Sequence, residues 1–317
     1  MQYIEIYSLH RANIYSEPTV TELGENLDNK MMMLLTVAVT AVVCIAGTAV
    51  VMGSNSEDNV TINVAGSTTV QPLMVRFQES FEDNTNAQLN VSGGGSGAGV
   101  STVQNGSADI GMLSRDLKPS ETGFKVTVIA NDGVSIIVNK AVRDAGVTNV
   151  TLEQIKQIYE GSITNWNQLG ASTSIAIKPI MREEGSGTRA CLEELTGLTA
   201  ASYPTGLNAY QESNSTGNMS TSVGSTTGAV GYVGYATVAE MKANPSSVNF
   251  RDLDVGSVTI SEDAINDGTY KLARQLILIT DENKSNSAVD FFLNWILSAQ
   301  GQKIVKDGGF LPIGPIA

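Results

Sequence analysis

Thr61-Ile-Asn-Val-Ala65, then Gly66-Ser67-Thr68-Thr69, then Val70 through Phe81 is the stretch that decides the fold. The first piece is a short apolar run rich in β-branched residues, which reads as a strand. The last carries Val70, Leu73, Met74, Phe77 and Phe81 at the spacing of one buried helix face. Between them lies a loop of glycine and hydroxyl residues. The same strand, loop and helix order recurs outward from this point. Ala87 to Val91 leads into Ser92-Gly-Gly-Gly-Ser-Gly-Ala-Gly99, and Ile175 to Met181 leads into Gly185-Ser186-Gly187-Thr188 and a helix through Leu195. Further strands are expected at 108–111, 125–130, 134–139, 228–233 and 272–280. Helices are expected at 151–159 and, from Ala288, Phe291, Phe292, Trp295 and Ile296, near the C-terminus. Strands alternating with helices predict an α/β architecture.

A strand-to-helix junction leaves the first N–H groups of the helix unpaired, with about half a positive charge from the helix dipole. Glycine lets the backbone approach a guest closely, and Ser or Thr hydroxyls add donors without charge. The combination makes an anion site from neutral groups. Ordinary N-capping explains one such loop. Three with the same chemistry, the third richer in glycine than a cap requires, point to an anion. None of them carries the lysine of a nucleotide P-loop or the dinucleotide fingerprint. Arg182, three residues before Gly185, is the nearest fixed positive charge; a surface salt bridge to Glu183 or Glu184 is the competing reading.

Composition narrows the chemistry. The chain has 317 residues and a formal charge of −13, with 19 Lys+Arg against 32 Asp+Glu, so nucleic acid is not an expected partner. His10 is the one histidine, and Cys44 and Cys191 are the two cysteines. These numbers rule out a Ser-His-Asp or Cys-His enzyme, a histidine zinc site and a disulfide framework. No carboxylate cluster suggests a metal, and no cofactor is expected. Met31 to Met52 is a run of 22 residues without charge, about 33 Å long as a helix, which predicts a membrane anchor or signal segment over 31–53 after a tail at 1–30. Everything after it is then expected outside the cytoplasm, tethered or secreted.

Ala65-Gly-Ser-Thr-Thr-Val-Gln-Pro-Leu73, Gly94-Gly-Ser-Gly-Ala-Gly99, Ala108-Asp-Ile-Gly111, Gly185-Ser-Gly-Thr188 and Gly228-Ala-Val-Gly-Tyr-Val233 occur in that order. Tyr270-Lys-Leu-Ala-Arg-Gln-Leu276 and the segment from Phe292 to Pro312-Ile313 complete the series. Over about residues 60 to 315 the chain resembles the phosphate-binding proteins of phosphate-specific ABC importers. The resemblance implies a two-lobed periplasmic-binding-protein fold with a hinged cleft between the lobes. Its expected lobes are 57–135 with 236–317, and 136–235. It implies capture of inorganic phosphate for delivery to ABC permease subunits. A monomer without enzymatic activity is expected. Carried over, the phosphate-binding residues are Thr68, Thr69, Ser96, Asp109, Arg182, Ser186, Gly187 and Thr188, with Asp109 accepting from the P–OH and Glu184 steadying Arg182. The family often has an aromatic where Thr69 stands, and the alignment of Leu113-Ser-Arg-Asp116 leaves a ligand role for Arg115 open. Other tetrahedral oxyanions, tungstate or sulfate, are the alternative within this class. A phosphoester hydrolase would need Asp109 or Glu184 as its base, and a sensory ectodomain would need a signalling partner.

Overall fold

The computed structural model describes residues 60–204 and 210–316. The tail and the apolar segment at 31–53 lie outside the described residues. Among the described residues no helix is long and apolar enough to cross a membrane.

The chain runs through β1 (Val60–Gly66), α1 (Gln71–Glu82), β2 (Ala87–Ser92), α2 (Ser96–Gln104), β3 (Ile110–Leu113) and β4 (Phe124–Asn139). It continues with α3 (Lys140–Asp144), β5 (Asn149–Val150), α4 (Leu152–Tyr159), β6 (Lys178–Arg182), α5 (Gly187–Thr196), β7 (Gln211–Ser213), α6 (Thr216–Ser225) and β8 (Ala229–Gly234). Then follow α7 (Tyr235–Ala243), β9 (Phe250–Val255), α8 (Glu262–Asn266), β10 (Ala273–Asp281), α9 (Ser287–Leu297) and α10 (Ala299–Asp307). The strands lie in the order β2-β1-β3-β10-β4-β8-β6-β7, with β9 and β5 branching from β4. β1 pairs in parallel with β2 and β3, and β6 in parallel with β7 and β8, while β10 and β4 run antiparallel to their neighbours.

Two apolar cores divide this path into two lobes. The first gathers Ile62, Phe77, Ile110, Ala130, Leu276 and Phe292; the second gathers Val134, Ile155, Trp166, Leu192, Tyr232, Met241, Phe250 and Leu272. A smaller cluster, including Val100, Val103 and Ile279, packs α2 on the other face of the first sheet. Buried aromatic packing of Phe81 against Phe292 and Trp295 clamps α1 to α9.

β4 is where expectation and structure differ most. The strands expected at 125–130 and 134–139 leave Asn131, Asp132 and Gly133 outside both, yet β4 passes through them unbroken. Asn131, Asp132 and Gly133 pair with Gln275, Arg274 and Ala273 of β10, so ladder bonds hold the polar residues in extended form. β3 lies two residues later than the expected strand, at Ile110–Leu113.

Candidate functional site

Strands β1, β2, β3, β6, β7 and β8 all point their carboxyl ends at one region between the lobes, the place where open α/β sheets hold ligands. Ser67, Thr68 and Thr69 follow β1, and Ser114 follows β3. Ser96 starts α2, Gly187 and Thr188 start α5, and Thr216 starts α6. At a helix start the first N–H groups lie outside the intrahelical ladder, so these elements bring donors as well as hydroxyls.

The hydroxyls form two groups, serines and threonines, joined through the Thr69 peptide. Ser67 Oγ donates to Ser114 Oγ at 2.9 Å, and Ser114 Oγ lies 3.5 Å from Ser96 Oγ. The backbone N–H groups of Ser114 and Thr69 donate to Ser96 Oγ and Ser67 Oγ at 3.1 and 3.2 Å. Across the cleft, Thr69 Oγ1 lies 3.0 Å from Thr188 Oγ1 and 3.3 Å from Thr216 Oγ1. The loops also touch directly, with Gly97 N–H donating to Gly185 O at 2.9 Å. Ser67, Thr69, Ser96, Ser114, Ser186, Thr188 and Thr216 are all buried.

Arg182 ends β6 and is only 1% exposed. Nε and Nη2 grip Glu183 at 2.8 Å each, while Nη2 also donates to Thr68 Oγ1 at 3.0 Å and Nη1 to Thr216 Oγ1 at 3.3 Å. Its backbone N–H donates to the Tyr232 hydroxyl at 2.9 Å, and burial pushes that phenol far above its ordinary range. A buried guanidinium needs such pairing to offset its desolvation. The competing reading of Arg182 as a surface residue is therefore excluded, and its carboxylate partner is Glu183. Glu184 is exposed and makes no bond to it.

Two glycines in the loops are required by geometry. Gly95 precedes α2 at φ +86°, a conformation that L side chains rarely adopt. A Cβ on Gly187 would stand 2.2 Å from Ser96 Oγ and 2.6 Å from Ser114 Oγ. Gly187 therefore permits the second lobe to approach the serines of the first.

The structure thus brings together Thr68, Thr69, Ser96, Arg182, Ser186, Gly187 and Thr188, but Asp109 does not join them. Asp109 precedes β3, and its carboxylate accepts from the Asn63 N–H at 2.8 Å beside β1. At about 3.3 Å per residue, the four residues of β3 carry it well over 10 Å from the cluster. It lines a separate cavity with Lys284, Asn286 and Asp290. Ser114 directly follows the carboxyl end of β3. Arg115, beside it, is committed to Glu121 through two bonds of 2.7 and 2.8 Å.

Sequence reasoning passed over Ser67, Ser114, Thr216 and a buried pair, Asp132 with Arg274. Ser67 and Ser114 carried a usable signal, since each immediately follows an apolar strand run; Thr216 follows a strand of three residues that has no periodicity to see. The carboxylates bordering the cluster are already engaged, Glu183 by Arg182 and Asp132 by Arg274. A cavity of about 410 Å³ on the Arg274 side contains Arg115, Cys191 and Leu195. Burial pushes the Cys191 thiol up to about 11, which makes it a poor nucleophile at neutral pH. The arrangement is a neutral donor shell around one guanidinium, suited to holding a small tetrahedral anion.

Comparison with known proteins identifies the family. Residues 53–300 match the PBP superfamily domain. The chain is 28% identical over 267 residues to the phosphate-binding protein PstS of Borreliella burgdorferi, covering 82% of this chain and 92% of that one. It is 30% identical over 261 residues to PstS of Staphylococcus saprophyticus, covering 78% and 79%. A phosphate ABC transporter substrate-binding protein of Clostridium perfringens, solved with bound phosphate, superposes with a TM-score of 0.72 at 31% identity, covering 80% of this chain and 99% of that one. With its two cores, its crossing strands and its loops gathered at the strand ends, the chain belongs to the PBP superfamily and, within it, to the family of the phosphate-binding protein PstS.

Proposed function

We propose that the chain captures inorganic phosphate outside the cytoplasm and delivers it to the permease subunits of an ABC importer. The convergence of Thr68, Thr69, Ser96, Arg182, Gly187 and Thr188 on one point between the lobes carries this reading. Hydroxyls suit phosphate because they both donate and accept, so one can donate to P–O⁻ while another receives the P–OH. The names of the relatives and the phosphate held by the Clostridium perfringens protein support the same ligand. Binding and release without chemistry fits a site whose hydroxyls lack an activating base, since the chain's one histidine is His10. The protein acts as a monomer, and the apolar segment at 31–53 anchors it or directs its export.

In this reading the lobes comprise residues 60–133 with 274–316, and 134–273. The return crossing then moves from 236 to about 273, because Val238, Met241, Phe250 and Leu253 pack into the second core. Hinge closure about β4 and β10 encloses the anion. Isothermal titration with phosphate, arsenate, sulfate and tungstate tests the proposal. Saturable heat with phosphate at 1:1 is expected. Heat with sulfate or tungstate and none with phosphate overturns the choice of ligand, and turnover of a chromogenic phosphate ester overturns the non-enzymatic reading.

A further inference from the structure

Asp132 and Arg274 face each other across the β4–β10 ladder where the two cores divide. Ala130 and Leu276 belong to the first core, and Val134 and Leu272 to the second. Their side chains are 1% and 4% exposed. Arg274 Nε and Nη2 donate to Asp132 Oδ2 at 2.9 and 2.8 Å, and Nη1 donates to the carbonyl oxygen of Ser114 at 3.0 Å. The other oxygen, Asp132 Oδ1, accepts the backbone N–H of Tyr235 at 2.9 Å. Tyr235 is the first residue of α7, and Gly234 before it lies against Thr69 and Asp132. One buried ion pair therefore joins the two crossing strands, the start of α7 and the peptide of a serine in the hydroxyl network. A pair at so dry a site is weak support for stability, because desolvation offsets most of its attraction. Its planar fork instead fixes direction: three N–H groups aim at two acceptors, which a lysine cannot reproduce.

We propose that Arg274 and Asp132 are positioning residues that turn the Ser114 hydroxyl toward the oxyanion as the lobes close, so that closure and capture are a single event. This rests on the phosphate-capture reading. Bending at β4 and β10 carries the guanidinium with it, and the Ser114 peptide follows through its carbonyl bond. Arg115, next in sequence, is held by Glu121 and so does not compete for that carbonyl.

The test uses the purified protein, inorganic phosphate and stopped-flow dissociation. Arg274→Lys is expected to speed phosphate release about tenfold, the worth of one well-aligned buried hydrogen bond. Ser114→Ala is expected to do the same, and the double variant to lose no more than the worse single variant. Wild-type release by Arg274→Lys, or losses that simply add, overturns the proposal. Should Arg274→Lys fail to fold, hydrogen exchange on the unaltered protein decides. Phosphate is expected to protect the peptides containing Ser114 and Tyr235 together; protection of the Ser114 peptide alone overturns it. Wild-type protein that gives no heat with phosphate removes the capture reading, whereas phosphate binding with unaffected variants removes only this one.

Discussion

Arg182 makes the sharpest demand of any single residue in the cleft. Its guanidinium cancels Glu183 and still presents N–H groups to Thr68 and Thr216. Removing it takes away charge-assisted donors and leaves a carboxylate facing an anion, two losses of the same sign. Charge-assisted bonds contribute about 1.5–3 kcal/mol each, so Arg182→Ala is expected to weaken phosphate binding at least tenfold by titration calorimetry. Wild-type affinity would remove Arg182 from the site. Asp109→Asn supplies the opposite test. The carboxylate takes a local bond from Asn63 beyond the far end of β3, so phosphate affinity and preference over sulfate are expected to stay unchanged. Gly187→Ala tests space instead of charge. Its Cβ would overlap Ser96 and Ser114 across the lobes, so weakened binding is expected, while the unfolding midpoint without phosphate changes little if the cleft simply stays ajar.

At the scale of elements, the helix starts carry the site, and their chemistry is local enough to have been legible. Gly66-Ser-Thr-Thr, Gly95-Ser-Gly and Gly185-Ser-Gly-Thr announce exposed N–H groups whatever lies elsewhere in the chain. Ser186 takes the ordinary capping role instead, as the N-cap of α5 accepting from Arg189 N–H, and Ser186→Ala is expected to cost about 1 kcal/mol in chemical denaturation. A loss near zero would mean that the loop contacts, and not the cap, hold α5. What was not legible depended on pairing between distant strands. Asn131-Asp-Gly133 has turn composition, and only the β10 ladder keeps it extended. The two-residue shift of β3 had a larger consequence, because it changed which residue stands at the strand's carboxyl end. Asp109 rests on the family resemblance alone and stands before β3, whereas Ser114 stands directly after it. Thr216 shares the cluster through β7, too short for any period to reveal it.

For the whole molecule, the proposed closure would hold one anion between residues of both lobes. A ligand that binds only the folded protein stabilises it by about 2.7 kcal/mol at a hundredfold excess over Kd. For a chain of this size that corresponds to roughly 5–10 °C in the unfolding midpoint. The chain's two tryptophans allow the shift to be read lobe by lobe. Trp166 is buried in the second core, donating to Gly228 O at 2.9 Å, and Trp295 packs against the first core beside Phe77 and Phe81. Trp166→Phe and Trp295→Phe each leave a single reporter. Without phosphate the lobes are expected to unfold at different temperatures, since β4, β10, the chain near Tyr235 and a few bonds between the cleft loops are what tie them together. In the proposed mode, Thr68, Thr69 and Ser96 on one side and Arg182, Gly187 and Thr188 on the other would share a guest, which would couple the two transitions. Both fluorescence midpoints are therefore expected to rise, and the gap between them to shrink. A rise at one tryptophan alone would place the anion on a single lobe and remove closure from the mechanism.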